Sequence, residues 1–342
     1  MDSRSRRGAV SRPWVSVTDL VITNGDAAGE LLRRSLPGAE VLPWRDVLHE
    51  GPVPLTDTLE DLTAIRIEYL AGGGGGEIGA IEFELTARDL GLSMSAKFDR
   101  VVLWFEHDLF DQLQLLQVLD WFAANPRGGG ALLLVQAEDY IGRQDFEAIS
   151  ALAATETVVT QAQLDLARRA WAAFRQKTPE AWTKLLDEDL SALPHLRGAV
   201  VRMLGELPGP DGLSRTERQI LATVEPGSVT ALALFIAVQK QEDAEFMGDW
   251  SFWRLLDRLA LADEPLIAGL EAAPFQHADP ELAKAYLTSR LTLTSLGRAV
   301  LAGGADWAKH HVIDRWWGGT HRSEDALWRW DQTAEKLIPE SP

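Results

Sequence analysis

The sequence contains no cysteine and no long apolar run. Without cysteine the chain has neither disulfide bonds nor thiolate ligands for a metal. The longest apolar candidate for a membrane span, Ala231 to Val238, is far shorter than the roughly 18 to 20 residues that a transmembrane helix needs. We therefore expect no membrane association, and a chain without thiols suits the reducing cytoplasm.

Positive charge is also scarce. The chain has 33 Lys and Arg residues against 51 Asp and Glu residues, and its formal net charge is −18. Because nonspecific affinity for nucleic acid comes mostly from basic residues, nucleic acid is not an expected partner. A small-molecule ligand is expected, and a protein partner or a homo-oligomer stays open. Residues 1–13 combine arginines and serines with no apolar segment, which predicts a disordered start rather than a secretion signal.

Four short apolar segments in the first part of the chain predict a parallel sheet. They span residues 20–24, 40–43, 101–105 and 131–135, and they alternate with helix-forming segments. Alternation of strands and helices is typical of parallel α/β sheets. The sequence therefore predicts that residues 14–142 form an α/β domain with a parallel, Rossmann-like sheet.

The pattern changes after this domain. Residues 143–208 have helical patterns, and the LPGPDG segment that follows predicts a linker. Residues 211–304 contain three short helical segments followed by L-T-x-x-G-R-x-x-L, which resembles the end of a winged helix. The predicted fold class is therefore α/β, with an all-helical segment and a winged-helix-like domain after the sheet domain.

The last segment, residues 305–342, is rich in tryptophan. It carries Trp307, Trp316, Trp317, Trp328 and Trp330. Because so many large aromatic side chains would form an exposed apolar patch, we expect this tail to dock on the body of the protein. Two roles stay open: the tail seals the interface between domains, or it walls a pocket and contributes Arg315 or His321.

The predicted sheet would gather polar residues at one edge. The central stretch, Val101 to Gln112, is a buried strand that stops at three ionisable residues before a long apolar helix. Ligands of open α/β sheets bind at the carboxyl ends of the strands. The candidate catalytic residues are therefore His49, Glu106, His107 and Asp108, and the candidate substrate-binding residues are Asp26, Arg45, Glu50, Asp111 and Gln112.

The residue types in this set suit two kinds of chemistry. Histidine beside carboxylates suits acid–base catalysis near neutral pH. The same oxygen and imidazole ligands could bind a divalent metal, although no HExxH-type spacing is present, so the cofactor stays unknown. Arg45 is the candidate for holding an anionic substrate, since the guanidinium fork matches a carboxylate or a phosphate.

Structural roles also explain these residues one at a time. Asp26 follows a strand in an Asn-Gly-Asp segment, which resembles a phosphate-cradling turn but equally suits a helix cap. Asp108 could cap the next helix together with Asp111, and His107 could satisfy a backbone carbonyl in the core. Only the placement of several such residues at strand ends favours a site.

Three motifs in fixed order resemble a family of uncharacterised bacterial proteins. They are VTNGD-like, LPWRDVLHEGPVP-like and WFEHDLFDQLQLLQ-like segments, found here at Ile22 to Asp26, Leu42 to Pro54 and Trp104 to Gln114. The GLSRTERQIL and DRWWGG segments also match. The resemblance covers most of the chain beyond Trp14, and it implies no particular reaction.

The residues favour an enzyme of the hydrolase or transferase class. Its substrate would be a small polar or anionic molecule, a class that includes phosphorylated and nucleotide-like compounds. The second hypothesis is a ligand-sensing regulator or a protein-interaction module that uses the winged-helix-like domain. The third helix of that domain, Asp249 to Ala262, has only two arginines, so a protein fits it better than DNA does. A scaffold without chemistry is the third hypothesis.

Overall fold

The computed structural model of the chain describes residues 19–74, 76–323 and 327–338. The predicted disordered start, residues 1–13, lies outside this range. The first part of the described chain consists of β1 (Asp19–Asn24), α1 (Gly25–Ser35), β2 (Glu40–Trp44), α2 (Leu59–Gly72), α3 (Ile78–Ser93), β3 (Arg100–Glu106), α4 (Leu109–Ala124) and β4 (Ala131–Ala137).

The strands β1 to β4 form one parallel sheet in the order β2-β1-β3-β4. The predicted α/β fold with its parallel sheet is confirmed, and each predicted strand lies within an observed one. The central strand β3 is buried at every residue after Arg100, as expected for a strand covered by helices on both faces. The carboxyl ends of β1 and β3 therefore meet at one edge, where the candidate residues follow.

Helix α4 is buried along most of its length, so its amide side chains need partners inside the protein. The indole Nε1 of Trp44 donates to Gln117 Oε1 at 2.9 Å, and Gln114 Nε2 donates to the carbonyl of Asp46 at 2.9 Å. Both bonds join α4 to the end of β2. They fix the middle of α4 relative to the end of β2.

The segment after β4 is mostly helical, with one strand that the sequence pattern does not predict. It contains α5 (Phe146–Ala153), β5 (Thr157–Val158), α6 (Gln161–Phe174), α7 (Glu180–Lys184) and α8 (Leu196–Leu204). Strand β5 pairs antiparallel with β4 and becomes the edge of the sheet. Two residues are too few to show strand periodicity, which is why the segment was expected to be all helical.

The next segment contains five helices and a small antiparallel sheet of order β6-β8-β7. Its elements are α9 (Arg215–Val224), β6 (Val229–Thr230), α10 (Ala231–Gln239), α11 (Asp249–Leu261), β7 (Ile267–Ala268), α12 (Pro280–Thr288), β8 (Arg290–Leu293) and α13 (Ser295–Leu301). The resemblance to a winged helix predicts a wing at residues 272–286. Helix α12 occupies much of this segment instead, because Asp279 caps it and Pro280 fits its first turn.

The tail forms two β-hairpins, β9 (Arg315–Trp317) with β10 (Thr320–Arg322), and β11 (Arg329–Asp331) with β12 (Lys336–Ile338). The side chains of Trp307, Trp317 and Trp330 are each only 2% exposed. Trp317 Nε1 also donates to the carbonyl of Met203 in α8 at 2.7 Å. The tail is thus packed against the rest of the chain.

The turn of the first hairpin, Gly318 and Gly319, lies very close to the end of α6. A Cβ atom on Gly319 would lie 2.0 Å from the carbonyl oxygen of Arg175. The carbonyl of Gly318 accepts from the backbone N–H of Val53 at 2.8 Å. The hairpin therefore joins α6 to the loop that carries His49. Within the described residues, every helix is too short or too polar to cross a membrane.

Candidate functional site

Three carboxylates meet where β3 passes into α4. Glu106 ends the strand, Asp108 is the N-cap of the helix, and Asp111 lies in the first helical turn. The side chain of Asp108 accepts from the backbone N–H of Asp111 at 3.1 Å, so the predicted cap is present. One oxygen from each of the three carboxylates lies within 4.8 Å of the others, and all three residues are buried. We call these residues the carboxylate cluster.

Hydrogen bonds from neighbouring strand ends fix the carboxylate cluster. Asn24, at the end of β1, donates from Nδ2 to Asp111 Oδ2 at 2.5 Å, and the backbone N–H of Glu106 donates to Asp111 Oδ1 at 2.8 Å. The backbone N–H of Ile141 donates to Glu106 Oε1 at 2.6 Å. Gln112 has a positioning role, since its Nε2 donates to the carbonyl of Glu106 at 2.7 Å.

The cluster holds three acids without a cation. Within the described ranges, no Lys, Arg or His forms an ion pair with any of the three carboxylates, and Arg143, whose charge acts on Glu106, pairs with Glu245 at 2.6 Å. Burial, and then the charge of Asp108, raise the pKa of Glu106 to about 7. Burial raises the pKa of Asp108 to about 6 and that of Asp111 well above its ordinary value. A proton or a metal cation would relieve this repulsion.

His107 lies beside the cluster among polar side chains from later parts of the chain. Its ring centroid is 5.4 Å from that of Tyr140 and 6.1 Å from that of His195. His195 Nε2 lies 3.7 Å from Glu138 Oε1, and burial lowers the pKa of His195. The Nδ1 atom of His107 is buried and has no hydrogen-bond partner. The core carbonyl expected as its partner is therefore not bonded to Nδ1.

A cavity of about 350 Å³ opens next to the cluster. Its walls include His107, Asp108, Arg197, Arg202 and Arg215. Arg202 is buried and paired with Glu206 and Glu242, whereas Arg197 is largely exposed. A larger cavity of about 940 Å³, lined by Arg45 and Trp250 among others, includes none of the three carboxylates. Of these two cavities, the smaller one adjoins the carboxylate cluster through Asp108.

The other predicted residues lie apart from the cluster. Asp26 forms an exposed ion pair with Arg45, with 2.6 Å between Oδ1 and Nη2. It is not the helix cap, because α1 begins directly after Asn24. His49 and Glu50 line a separate cavity with Arg258 and other residues. The single pocket expected around all the candidate residues is therefore divided among several cavities.

The loop that carries His49 is held rigidly by Arg66. This arginine is fully buried, pairs with Asp46 at 2.8 Å and donates to the carbonyls of Val47, Glu50 and Pro52. Pro52 and Pro54 restrict the backbone of the same loop, and Arg66 fixes three of its carbonyls.

Asn24, Glu138, Tyr140 and His195 were missed as candidates. Asn24 and Glu138 could have been included, since both lie at or just after strand ends of the parallel sheet, where the other candidates were sought. Nothing in the sequence points to His195, which precedes helix α8 and reaches His107 only through the tertiary fold.

No protein-family model matches the chain, and a search of curated proteins finds no match. The family resemblance drawn from the three motifs therefore stays a prediction. The geometry of the site alone supports the functional argument.

Proposed function

We propose that Glu106, Asp108 and Asp111 hold a divalent cation and that the chain is an enzyme acting on a small anionic molecule in the adjacent cavity. One observation carries the proposal: three buried carboxylates converge, and no cationic side chain of the described residues pairs with them. Buried charges are normally paired or coordinate a metal.

The donor set fits a hard cation such as Mg²⁺ or Mn²⁺. All three groups offer oxygen, which these ions prefer over sulfur and which suits their octahedral geometry. The oxygens of Asp111 already accept hydrogen bonds from Asn24 and from the backbone of Glu106. Each carboxylate oxygen has a further lone pair, so these bonds orient the ligand without blocking it.

A cation bound there would polarise a substrate oxygen or lower the pKa of a bound water. His107 lines the same cavity as Asp108 and can transfer a proton to or from a substrate placed in it. Arg197 and Arg215, on other walls of the cavity, pair with Glu335 and Glu242 at 3.3 and 3.4 Å, and their remaining N–H groups suit an anionic substrate group. This arrangement suits the hydrolase and transferase classes.

An activity test can be made without knowing the substrate. The purified protein is incubated with Mg²⁺ or Mn²⁺ and a mixture of small anionic metabolites, and their consumption is followed by mass spectrometry. We expect at least one compound to be consumed by the wild type and not by Asp108→Asn, which keeps a residue able to cap the helix. Equal consumption by both proteins, or no consumption by the wild type, would contradict the proposed enzymatic activity.

A second candidate function rests on α10. Leu232 and Ile236, one turn apart on this helix, are 46% and 47% exposed. We infer that residues 211–304 form a winged helix, from the three helices and the strand order, and that this apolar face of α10 binds a protein such as a second copy of the chain. Light scattering should then give a dimer for the wild type and a monomer for Leu232→Lys. A monomeric wild type would exclude self-association through α10.

A further inference from the structure

The cavity that contains His49 lies between three parts of the chain that are distant in sequence. It has a volume of about 320 Å³. Its walls come from the His49 loop, from helix α11 and from the hairpin formed by β9 and β10. Four arginines line it: Arg254 and Arg258 from α11, and Arg315 and Arg322 from the hairpin. Arg254 donates to the carbonyl of Gly73 at 3.3 Å.

Two of these guanidinium groups have no acceptor within residues 19–74, 76–323 and 327–338. Arg315 pairs with Glu217, with 2.7 Å between Nη1 and Oε1. Among the residues that the structure describes, neither Arg258 nor Arg322 donates a hydrogen bond or forms an ion pair, and the Nε atom of each is buried and unpartnered. Arg322 is only 5% exposed. Arg258 is partly buried. A buried guanidinium nitrogen without an acceptor is costly, so the two Nε atoms point to a missing anion.

His49 adds a third group without a partner. Its side chain is 6% exposed, and both ring nitrogens are buried without a hydrogen bond. Its ring packs instead between Phe110 and Phe246, with centroid distances of 5.3 and 5.1 Å. Burial lowers the pKa of His49 to about 4, so at neutral pH the ring is uncharged and offers one N–H donor and one acceptor.

The carboxylates that line the cavity are already bonded elsewhere. Glu206 pairs with Arg202 at 2.7 Å, and Asp257 accepts from the hydroxyl of Tyr286 at 2.9 Å. Glu50 accepts from Tyr69 at 3.2 Å, and Asp314 Oδ1 lies 2.7 Å from His321 Nε2. The acids therefore do not reach ion-pair distance of the two unpartnered arginines.

Repulsion from the neighbouring arginine Arg315 also favours binding of an anion in this cavity. Burial, and next the charge of Arg315, lower the pKa of Arg322 to about 9 and that of Arg258 to about 10. Both groups remain protonated at neutral pH. An anion bound between them would remove the repulsion and supply the missing acceptors.

We propose that this cavity binds the phosphate group of a small phosphorylated molecule through Arg258, Arg322 and the ring N–H of His49. A phosphate offers enough oxygens for two guanidinium forks and an imidazole. The cavity volume is in the range of small-molecule sites, about 300 to 1,000 Å³. The site is independent of the carboxylate cluster and of the activity proposed there, since it needs no metal and none of the three acids.

Inorganic phosphate is the probe for the test. Binding to the full chain is measured by calorimetry at pH 7.5 with a chelator present and ionic strength held constant with chloride. The variants are Arg258→Met and Arg322→Met, which keep most of the side-chain length. The control is Arg298→Met, which removes an exposed arginine on α13.

We expect the wild type and Arg298→Met to bind phosphate equally, and each cavity variant to bind about tenfold more weakly or worse, as for loss of a charged hydrogen bond. Melting temperatures in chloride give a second readout. Removing an unpartnered cation should not lower the melting temperature, so a folded variant that cannot bind phosphate supports the site. Equal phosphate binding by all four proteins, or no binding by the wild type, would overturn it.

Discussion

Replacing Glu106 by glutamine should stabilise the protein at alkaline pH and change its stability little at acidic pH. In the folded protein, burial and the charge of Asp108 raise the pKa of Glu106 from 4.5 to about 7. The folded state therefore holds a proton that the unfolded chain has released. The loss of unfolding free energy that this carboxylate causes is absent below about pH 4.5, grows as pH rises, and reaches its full size above about pH 7.

The size of the effect follows from the pKa. At about 1.4 kcal/mol for each pH unit, the difference between 4.5 and about 7 corresponds to about 3 kcal/mol. Glutamine is neutral and keeps an oxygen that can accept from the backbone N–H of Ile141. The variant should therefore gain up to about 3 kcal/mol in unfolding free energy at pH 8.5 and less than about 1 kcal/mol at pH 5.

Urea denaturation with a chelator present measures both values. The control is Glu82→Gln, an exposed glutamate on α3 that should show no such pH dependence. If Glu106→Gln were destabilised equally at both pH values, the carboxylate would act only as a hydrogen-bond acceptor, and the reasoning about three repelling acids would be refuted.

Two further predictions concern the supports of the His49 loop. Asp46→Asn should lower the unfolding free energy by about 3 to 5 kcal/mol, because it leaves the buried guanidinium of Arg66 uncompensated. The control Asp26→Asn breaks an exposed pair and should lower it by less than about 1 kcal/mol. Equal losses for the two variants in urea denaturation would contradict the role of burial. Gly319→Ala should lower the melting temperature sharply, because its Cβ would lie 2.0 Å from a backbone oxygen. The control Gly79→Ala should leave the melting temperature unchanged, because its Cβ meets nothing within 4 Å. An unchanged melting temperature for Gly319→Ala would mean that the hairpin can move.

The sheet was predictable because its strands are long enough to show their pattern. Strand β3 is an unbroken apolar run that ends at ionisable residues, and the capping box of α9 is visible as Ser214 and Glu217. Strand β5 and helix α12 were not predicted as such. Strand β5 has only two residues. Helix α12 lies in a segment that was predicted as a wing from the resemblance to a winged helix, although Asp279 and Pro280 are a helix-start signal.

The candidate site was predictable only where its residues are close in sequence. Glu106, Asp108 and Asp111 lie within one strand-to-helix turn, so the sequence places them together. His49 and Arg45 also follow a strand, but their loop leads into other cavities. The arginines that line the same cavity as His49 come from positions more than 200 residues further along the chain, and no local sequence pattern reports that they share it.

Titration with Mn²⁺ tests the central claim most directly. Free Mn²⁺ is counted by its electron paramagnetic resonance signal at pH 7.5, for the wild type, Asp108→Asn, Asp111→Asn and the Glu82→Gln control. The carboxylate cluster predicts one site in the wild type and in the control, and binding about tenfold weaker or worse in the two cluster variants. A wild type that binds no Mn²⁺, or cluster variants that bind it as the wild type does, would contradict the proposed metal site.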